Sequence, residues 1–347
     1  MDLSAHAGGW QSQGLPLSSS HSRQQLPLVT QDPQVAAAAL ASEHLAALPT
    51  ETVYGLGGLA NSPTAVAAIF RAKGRPADHP VIVHVGGPDE IDRWARDVPV
   101  TARELAQAFW PGPLTLVVPR AAMVSDAITG GQQTVALRAP DHPLFQAVIA
   151  ELTRTLGSGV GIAAPSANRF GQVSPTTAAA VRDGLRGQLS AADVILDGGP
   201  CAVGVESTIV LCGPRTVTIA RAGGVTAERL GAVVELAAQP AKSSPRVPGS
   251  LASHYAPDAR VILADNPATV SIADSGAVGL IAGAGVATPS GWLRLCSPAD
   301  DDDYARDLYA ALHRADEADL DVVVAVPPEA TGIGTAIRDR LTRAASR

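Results

Sequence analysis

Aromatic side chains are scarce in this sequence. Four Trp, four Tyr and four Phe make up 3% of 347 residues, so any core has to be built from Ala, Val, Leu and Ile. Platforms for stacking successive nucleic-acid bases are correspondingly few. Cysteine is almost missing too. Cys201, Cys212 and Cys296 are odd in number and far apart, with no CxxC and no Cys/His cluster, which speaks against both a disulfide framework and a zinc site. Positive charge is in deficit: 26 Lys and Arg face 33 Asp and Glu, a net charge of −7. A general basic coat for nucleic acid is therefore absent, although a local basic cleft remains compatible with the total. Long apolar runs are lacking as well. The Ala/Val-rich stretch 35–48 is broken by charge and falls short of the ~20 residues that span a bilayer. Residues 1–25 have neither an apolar segment nor early basic residues, so they do not read as a signal peptide. The expectation is a soluble, cytoplasmic chain with no membrane partner.

Hydrophobic residues at 46% and charged residues at 17% exclude disorder as the overall class, and the length suits two ordinary domains. The 33 Gly and 27 Pro follow no period, which points to tight turns rather than collagen. No internal repeat is present.

The pattern divides the chain into a disordered leader (1–25), a larger domain (26–235), a Pro-rich linker (236–257) and a smaller α/β domain (258–347). In the larger domain, β-branched or alternating runs predict strands at 44–48, 81–85, 114–118, 134–138, 160–163, 194–196, 207–211 and 217–220. Asn61-Ser62-Pro63 supplies a cap followed by Pro at the first helical position, which predicts a helix to Lys73 before Gly74. Ser174-Pro175-Thr176 predicts a second helix start, and 101–109 a third helix, ended by Trp110-Pro111-Gly112-Pro113. After the linker, strands are expected at 260–263, 278–281, 292–295 and 322–326, with helices at 303–316 and 334–345.

Candidate chemistry is distributed. Pro49-Thr50-Glu51-Thr52-Val53-Tyr54-Gly55 follows a strand with hydroxyls, a carboxylate and a glycine that permits close backbone approach; an ordinary strand-to-loop turn is the plain alternative. Arg71, Lys73 and Arg75 cluster where a helix ends. They either complement the helix dipole or clamp a polyanion. His84 lies on the strand Val-Ile-Val-His-Val, where a structural role is the commoner one. Arg138 ends a strand and so points toward the crevice beyond the sheet. Ala164-Pro165-Ser166-Ala167-Asn168 is a tight polar loop, and Ser174 is expected to cap a helix whose N-terminus can receive an anion. Glu206-Ser207-Thr208 opens one strand and Arg221 closes the next. There is no GxxxxGK[ST] loop, no GxGxxG before a helix and no GxSxG elbow.

In order, PTETVYGLG (49–57), KGRPADHPVIVHV (73–85), WPGPLT (110–115), LRAP (137–140), APSAN (164–168) with GQVSPT (171–176), ESTIV (206–210) and RAG (221–223) resemble the YrdC-type family of threonylcarbamoyl-AMP synthases. PGSLASHYAP (248–257) and TGIGTAIRDRLTRAA (331–345) resemble the linker and the end of its long, two-domain form. The resemblance implies an α/β fold: a twisted mixed sheet with helices and a concave basic cleft, plus a smaller Rossmann-like α/β domain. It implies a nucleotidyltransferase that condenses L-threonine, bicarbonate and ATP to threonylcarbamoyl-AMP and pyrophosphate. A partner transferase then carries the threonylcarbamoyl group to adenosine 37 of tRNAs reading ANN codons; whether this chain itself touches tRNA is left open. By motif, Thr52, His84, Arg138, Ala164 and Ser207 fall to threonine. Lys73, Arg75, His79, Thr134, Ser166, Asn168, Ser174, Arg221, Gly249, His254 and Tyr255 fall to ATP, with Lys73 and Arg75 central to catalysis and the last three on a linker that folds over the site. Mg²⁺ is expected on the ATP phosphates, with no protein metal cage. The chain departs from the family at Ser250-Leu251, where Met-Lys is usual, and at Leu211-Cys212, where an Asp is common.

Two other readings have different signatures. A non-catalytic RNA-binding module would bind with strong salt dependence and no need for threonine, against which the acidity and few aromatics count. A hydrogenase-maturation carbamoyltransferase with a related domain would need zinc-finger cysteines and further domains that this chain does not supply.

Overall fold

The computed structural model describes residues 1–2, 26–237, 244–249, 255–272 and 276–346. Most of the expected leader, Ser250-Leu251 and His254 therefore lie outside the described residues. Eleven strands form one sheet: β1 (Leu28–Thr30), β2 (Ala46–Leu48), β3 (Gly55–Leu59), β4 (Ile82–His84), β5 (Leu114–Pro119), β6 (Thr134–Arg138), β7 (Ile162–Ala163), β8 (Val194–Leu196), β9 (Thr208–Cys212), β10 (Thr216–Arg221) and β11 (Glu235–Leu236). Their spatial order is β1-β8-β2-β3-β7-β4-β6-β5-β9-β10-β11. The sheet is mixed: β4 runs parallel to β6 and β5 to β9, while β7 is antiparallel to β4. A second sheet holds β12 (Arg260–Leu263), β13 (Val278–Ile281), β14 (Leu293–Cys296) and β15 (Val322–Ala325) in the order β12-β15-β13-β14, every pair parallel. The helices Asp301–Glu317 and Gly334–Ala344 accompany it. The α/β class with a large mixed sheet and a smaller parallel one is as the sequence led us to expect.

Local chemistry explains the element ends that bear on the site. Ser62 Oγ accepts from Ala65 N at 3.1 Å, Pro63 fills the first turn, and Gly74 ends the helix Pro63–Lys73 in the left-handed conformation at φ 62°, a backbone state that costs glycine little. This delivers Lys73 and then Arg75 at one point. The second expected helix start is corrected. The helix runs Ala178–Gly184 and Thr177 caps it, whereas Ser174 Oγ donates to Glu206 Oε1 at 2.8 Å. A hydroxyl beside a buried carboxylate gains more there than at a helix end. The helices Pro33–Ala41 and Pro143–Leu156 and the strands β1, β3 and β11 were not foreseen.

Period-two alternation sets the site face. Val83 of β4 and Val135 and Leu137 of β6 enter the main core with Trp94, Leu105 and Leu116. Ile82 and His84, with Thr134, Ala136 and Arg138, consequently stand on the opposite face. A second core joins Val53, Val173 and Val205 of the first unit to Leu308, Tyr309 and Ile337 of the second, with Tyr255 between them. Among the described residues no helix is long and apolar enough to cross a membrane.

Candidate active site

The cavity on this face encloses about 580 Å³ of empty space, its mouth and the adjoining open solvent included. Nine of the sequence-derived candidates line it: Arg75, His84, Arg138, Ala164, Ser166, Ser207, Arg221, Gly249 and Tyr255. Thr50, Val53 and Glu206, which lie within the candidate segments of the sequence but had no ligand assigned to them, line it as well.

Each cation is held from behind. Arg138 at the end of β6 pairs with Glu51 at 2.7 Å, and its Nε donates to Gly112 O at 3.2 Å. Both partners of the pair are buried. Glu51, whose second oxygen accepts from Asp141 N at 3.2 Å, thus fixes the guanidinium, and such a pair persists in a low dielectric only with this kind of added hydrogen bonding. Arg221 donates from Nε and Nη2 to Ser207 O at 3.2 and 2.8 Å, and from Nη2 to Ser207 Oγ at 3.1 Å. Its Nη1 donates to Pro248 O of the linker at 3.2 Å. Ser207 Oγ also shares a 2.8 Å hydrogen bond with Thr115 Oγ1. Arg75 donates to Pro80 O at 2.7 Å and lies over the Phe170 ring at 5.6 Å; burial pulls its guanidinium down to about 10.

His84 is 3% exposed, tilted against Phe145 at 5.5 Å, and its Nδ1 has no hydrogen-bond partner among the described residues. Burial first, and then the Arg138 charge, push its pKa down to about 3, so the imidazole is neutral at pH 7. Glu206 behaves oppositely. Burial alone would raise its carboxyl, but Arg340 and Arg221 outweigh that and hold it down at about 2.

The remaining candidates stand behind or beside the wall. Thr52 is fully buried, its hydroxyl 2.9 Å from that of Thr50. Thr50 Oγ1 closes a turn by accepting from Val53 N at 3.1 Å and donating to Val53 O at 2.6 Å, so it is Thr50 that reaches the cavity. Lys73 Nζ donates to Ser166 O at 2.6 Å and to Asn168 O, tying the 164–168 loop to the helix end. Burial, then Arg75, bring its pKa well below the lysine norm. Asn168 donates to Arg169 O and Gln172 O at 2.8 Å each, its Oδ1 buried without a hydrogen-bond partner among the described residues. His79 meets Phe170 edge-on at 5.3 Å. Thr134 shares the Arg138 face of β6 but sits at the far end of the strand, about 13 Å along by strand rise.

Residues 244–249 cross this face. Val247 packs on Ile82, Val117, Ala136 and Ile209. Arg246 N donates to Gln132 Oε1 at 2.6 Å, Gln132 Nε2 donates to Arg246 O at 3.0 Å, and the Arg246 guanidinium reaches Asp78 at 3.2 Å and Gly130 O at 3.1 Å. Gly249 has φ 75°, and a Cβ there would sit 2.4 Å from the Tyr255 hydroxyl and 2.9 Å from Arg221 Nη1, so only glycine fits where the linker meets the cations. Glu206 could have been suspected from the Glu-Ser-Thr string; nothing in the sequence marks its partner Arg340, 134 residues on.

Comparison with known proteins gives the family. A family model described as "Telomere recombination" matches residues 38–223, and one described as "Threonylcarbamoyl-AMP synthase, C-terminal domain" matches residues 225–346. The chain is 39% identical to a protein of Bacillus subtilis named threonylcarbamoyl-AMP synthase, covering 92% of this chain and 94% of that one. It is 36% identical to one of the same name from Pyrococcus abyssi, over 90% and 93% of the two. The crystal structure of P. abyssi Sua5 complexed with L-threonine superposes with a TM-score of 0.79 at 32% identity, over 92% of this chain and 98% of that one.

Proposed function

This chain belongs to the threonylcarbamoyl-AMP synthase family in its two-domain form, and from that premise we propose how its cavity works. It is a nucleotidyltransferase that takes L-threonine and ATP; bicarbonate supplies the carbamoyl carbon, and threonylcarbamoyl-AMP and pyrophosphate leave. The observation that carries this reading is the convergence of Arg75, Arg138 and Arg221 on one buried cavity beside a neutral histidine. One amino-acid carboxylate and one triphosphate call for such a set, since charge-assisted bonds from fixed guanidinium groups are strong in a low dielectric.

Arg138, aimed by Glu51, binds the threonine carboxylate, with His84, Ser207, the backbone at Ala164 and the Thr50–Thr52 turn around the rest of the amino acid. The threonine amine takes up the carbon of bicarbonate, with loss of water, and the resulting carbamate oxygen attacks the α-phosphorus as pyrophosphate departs. Arg75, Arg221 and the remaining N–H of Lys73 meet the phosphates, while Ser166, Asn168, Ser174, Thr134 and His79 border the nucleotide. None of these groups acts as a covalent nucleophile; they position reactants and stabilise the charge that develops. Gly249 and Tyr255 belong to a linker over the site that keeps water from the carbamate and the mixed anhydride. Mg²⁺ would ride on the ATP phosphates and water, which fits because the carboxylates nearest the cavity, Glu51 and Glu206, are already engaged by Arg138 and Arg340. We assign the catalytic unit to 26–235, the linker to 236–257 and a supporting unit to the rest. The chain works in the cytoplasm and hands its product to a tRNA threonylcarbamoyl transferase.

The test is pyrophosphate release by the purified chain with ATP, Mg²⁺ and bicarbonate, with and without L-threonine. Release that requires threonine and bicarbonate is expected. Release indifferent to threonine, or nucleic-acid binding that needs neither substrate, would overturn the reading.

A further inference from the structure

Among the residues lining the cavity, Glu206 is the acidic one. The substrates proposed above are anions, and in a low-dielectric pocket an uncompensated carboxylate would repel them. The cavity's own arginines Arg138 and Arg221 are engaged elsewhere: Arg138 by its ion pair with Glu51 and a hydrogen bond to Gly112 O, Arg221 by hydrogen bonds to Ser207 and Pro248. Glu206 instead takes its ion-pair partner from the second unit. Its Oε2 accepts from Arg340 Nε and from the Tyr309 hydroxyl, each at 2.7 Å, while Oε1 accepts from Ser174 Oγ at 2.8 Å.

Arg340 is built for that position. It is 1% exposed. It donates to Ala222 O at 2.9 Å and to Asp339 at 2.5 Å, and its guanidinium lies over the Tyr255 ring at 5.3 Å. Tyr255 in turn stacks on Tyr309 at 5.6 Å. The groups facing Glu206 are therefore Arg340 and Tyr309 from the two helices of the second unit, Tyr255 from the linker end, Ser174 from the loop before Ala178, and Arg221 from β10.

We propose that Arg340 is a positioning residue of the reaction: it neutralises Glu206 from behind and holds that carboxylate off the bound anions, so that the second unit completes an anion-accepting cavity which the first cannot complete alone. This rests on the functional reading in taking ATP as the ligand, and it gives the second unit a part beyond supporting the linker.

The experiment is calorimetric binding of ATP with Mg²⁺ to the full-length chain, with circular dichroism to check the fold. Arg340→Met should weaken ATP binding at least tenfold, because it leaves Glu206 charged and loosely held. Arg340→Met with Glu206→Gln removes both charges and should restore affinity to within threefold of the parent. A purely structural arginine would gain nothing from that second change. Unchanged affinity in the single variant, or a double variant no tighter than the single one, overturns the proposal. Should Arg340→Met fail to fold, Tyr309→Phe removes only one donor to Glu206. It is expected to weaken ATP binding about three- to tenfold, and parental affinity in it overturns the proposal. The comparison needs no turnover, so a failure of threonine-dependent pyrophosphate release would count against the functional reading alone.

Discussion

Lys73 stands behind the cavity wall, and two of its three N–H donors are already committed to the carbonyls of Ser166 and Asn168. One donor is left for the phosphate proposed to lie there, and the same two bonds position the 164–168 loop. Lys73→Ala is therefore expected to abolish threonine-dependent pyrophosphate release. It should also cost about 1–3 kcal/mol of stability by stripping buried carbonyls of their donor, read from urea midpoints; near-normal turnover would contradict the assignment. His84 makes a prediction of the opposite kind. Its folded pKa of about 3 lies below the ~6.5 of an unfolded histidine, so the unfolded chain binds the extra proton. Its contribution to stability is whole above pH ~6.5 and drains as pH falls toward 3, at up to ~1.4 kcal/mol per pH unit. His84→Gln should flatten that part of the pH–stability curve, and an unchanged slope would mean the imidazole is not held neutral. At this scale the sequence carried much of the site: His84, Arg138, Ser207 and Arg221 do meet around one cavity. It did not carry the groups that aim them, because Glu51 reaches Arg138 and Arg340 reaches Glu206 only through folding.

Elements were legible where one face is apolar. The strands β4, β5, β6 and β8 follow from runs of Val, Ile and Leu, and the helix Pro63–Lys73 from its caps. β3 was missed because Gly-Leu-Gly-Gly-Leu looks like a loop. In the sheet its glycines are demanded by neighbours, a Cβ at Gly57 lying 2.9 Å from Ile162 and 3.1 Å from Ala46 O. The misplaced start of Ala178–Gly184 has a different cause: two hydroxyl residues compete there, and Glu206 takes Ser174 from the cap. The linker segment 244–249 belongs to this scale too. Its exposed hook through Arg246 to Asp78, Gly130 and Gln132 should hold with only about 1 kcal/mol per contact. Arg246→Ala is expected to speed amide exchange across 244–249 and to raise the apparent KM for ATP a few-fold, leaving the melting temperature nearly unaltered. A large fall in melting temperature would make the hook structural rather than a latch.

For the whole molecule, the Pro-rich stretch announced two units, but nothing in it revealed that they share a core. Val53, Val173 and Val205 are buried under Tyr309, Leu308 and Ile337. Ending the chain at about residue 240 should therefore remove the linker from the cavity and expose apolar surface together. The expected result is a truncated form that self-associates and has lost pyrophosphate turnover, measured by light scattering and the same release assay. Full turnover by a monomeric truncated form would refute both the linker role and the need for Arg340.

The span between Glu206 and Arg340 also bears on how a new molecule comes into being. Glu206 leaves the ribosome 134 residues before its counter-charge, which at 5–20 residues per second is about 7–27 s of further translation. Through that interval the carboxylate lacks the Arg340 guanidinium. A nascent chain would thus hold most of the pocket and still repel nucleotide. Activity would begin only after the helix Gly334–Ala344 has been made and has docked.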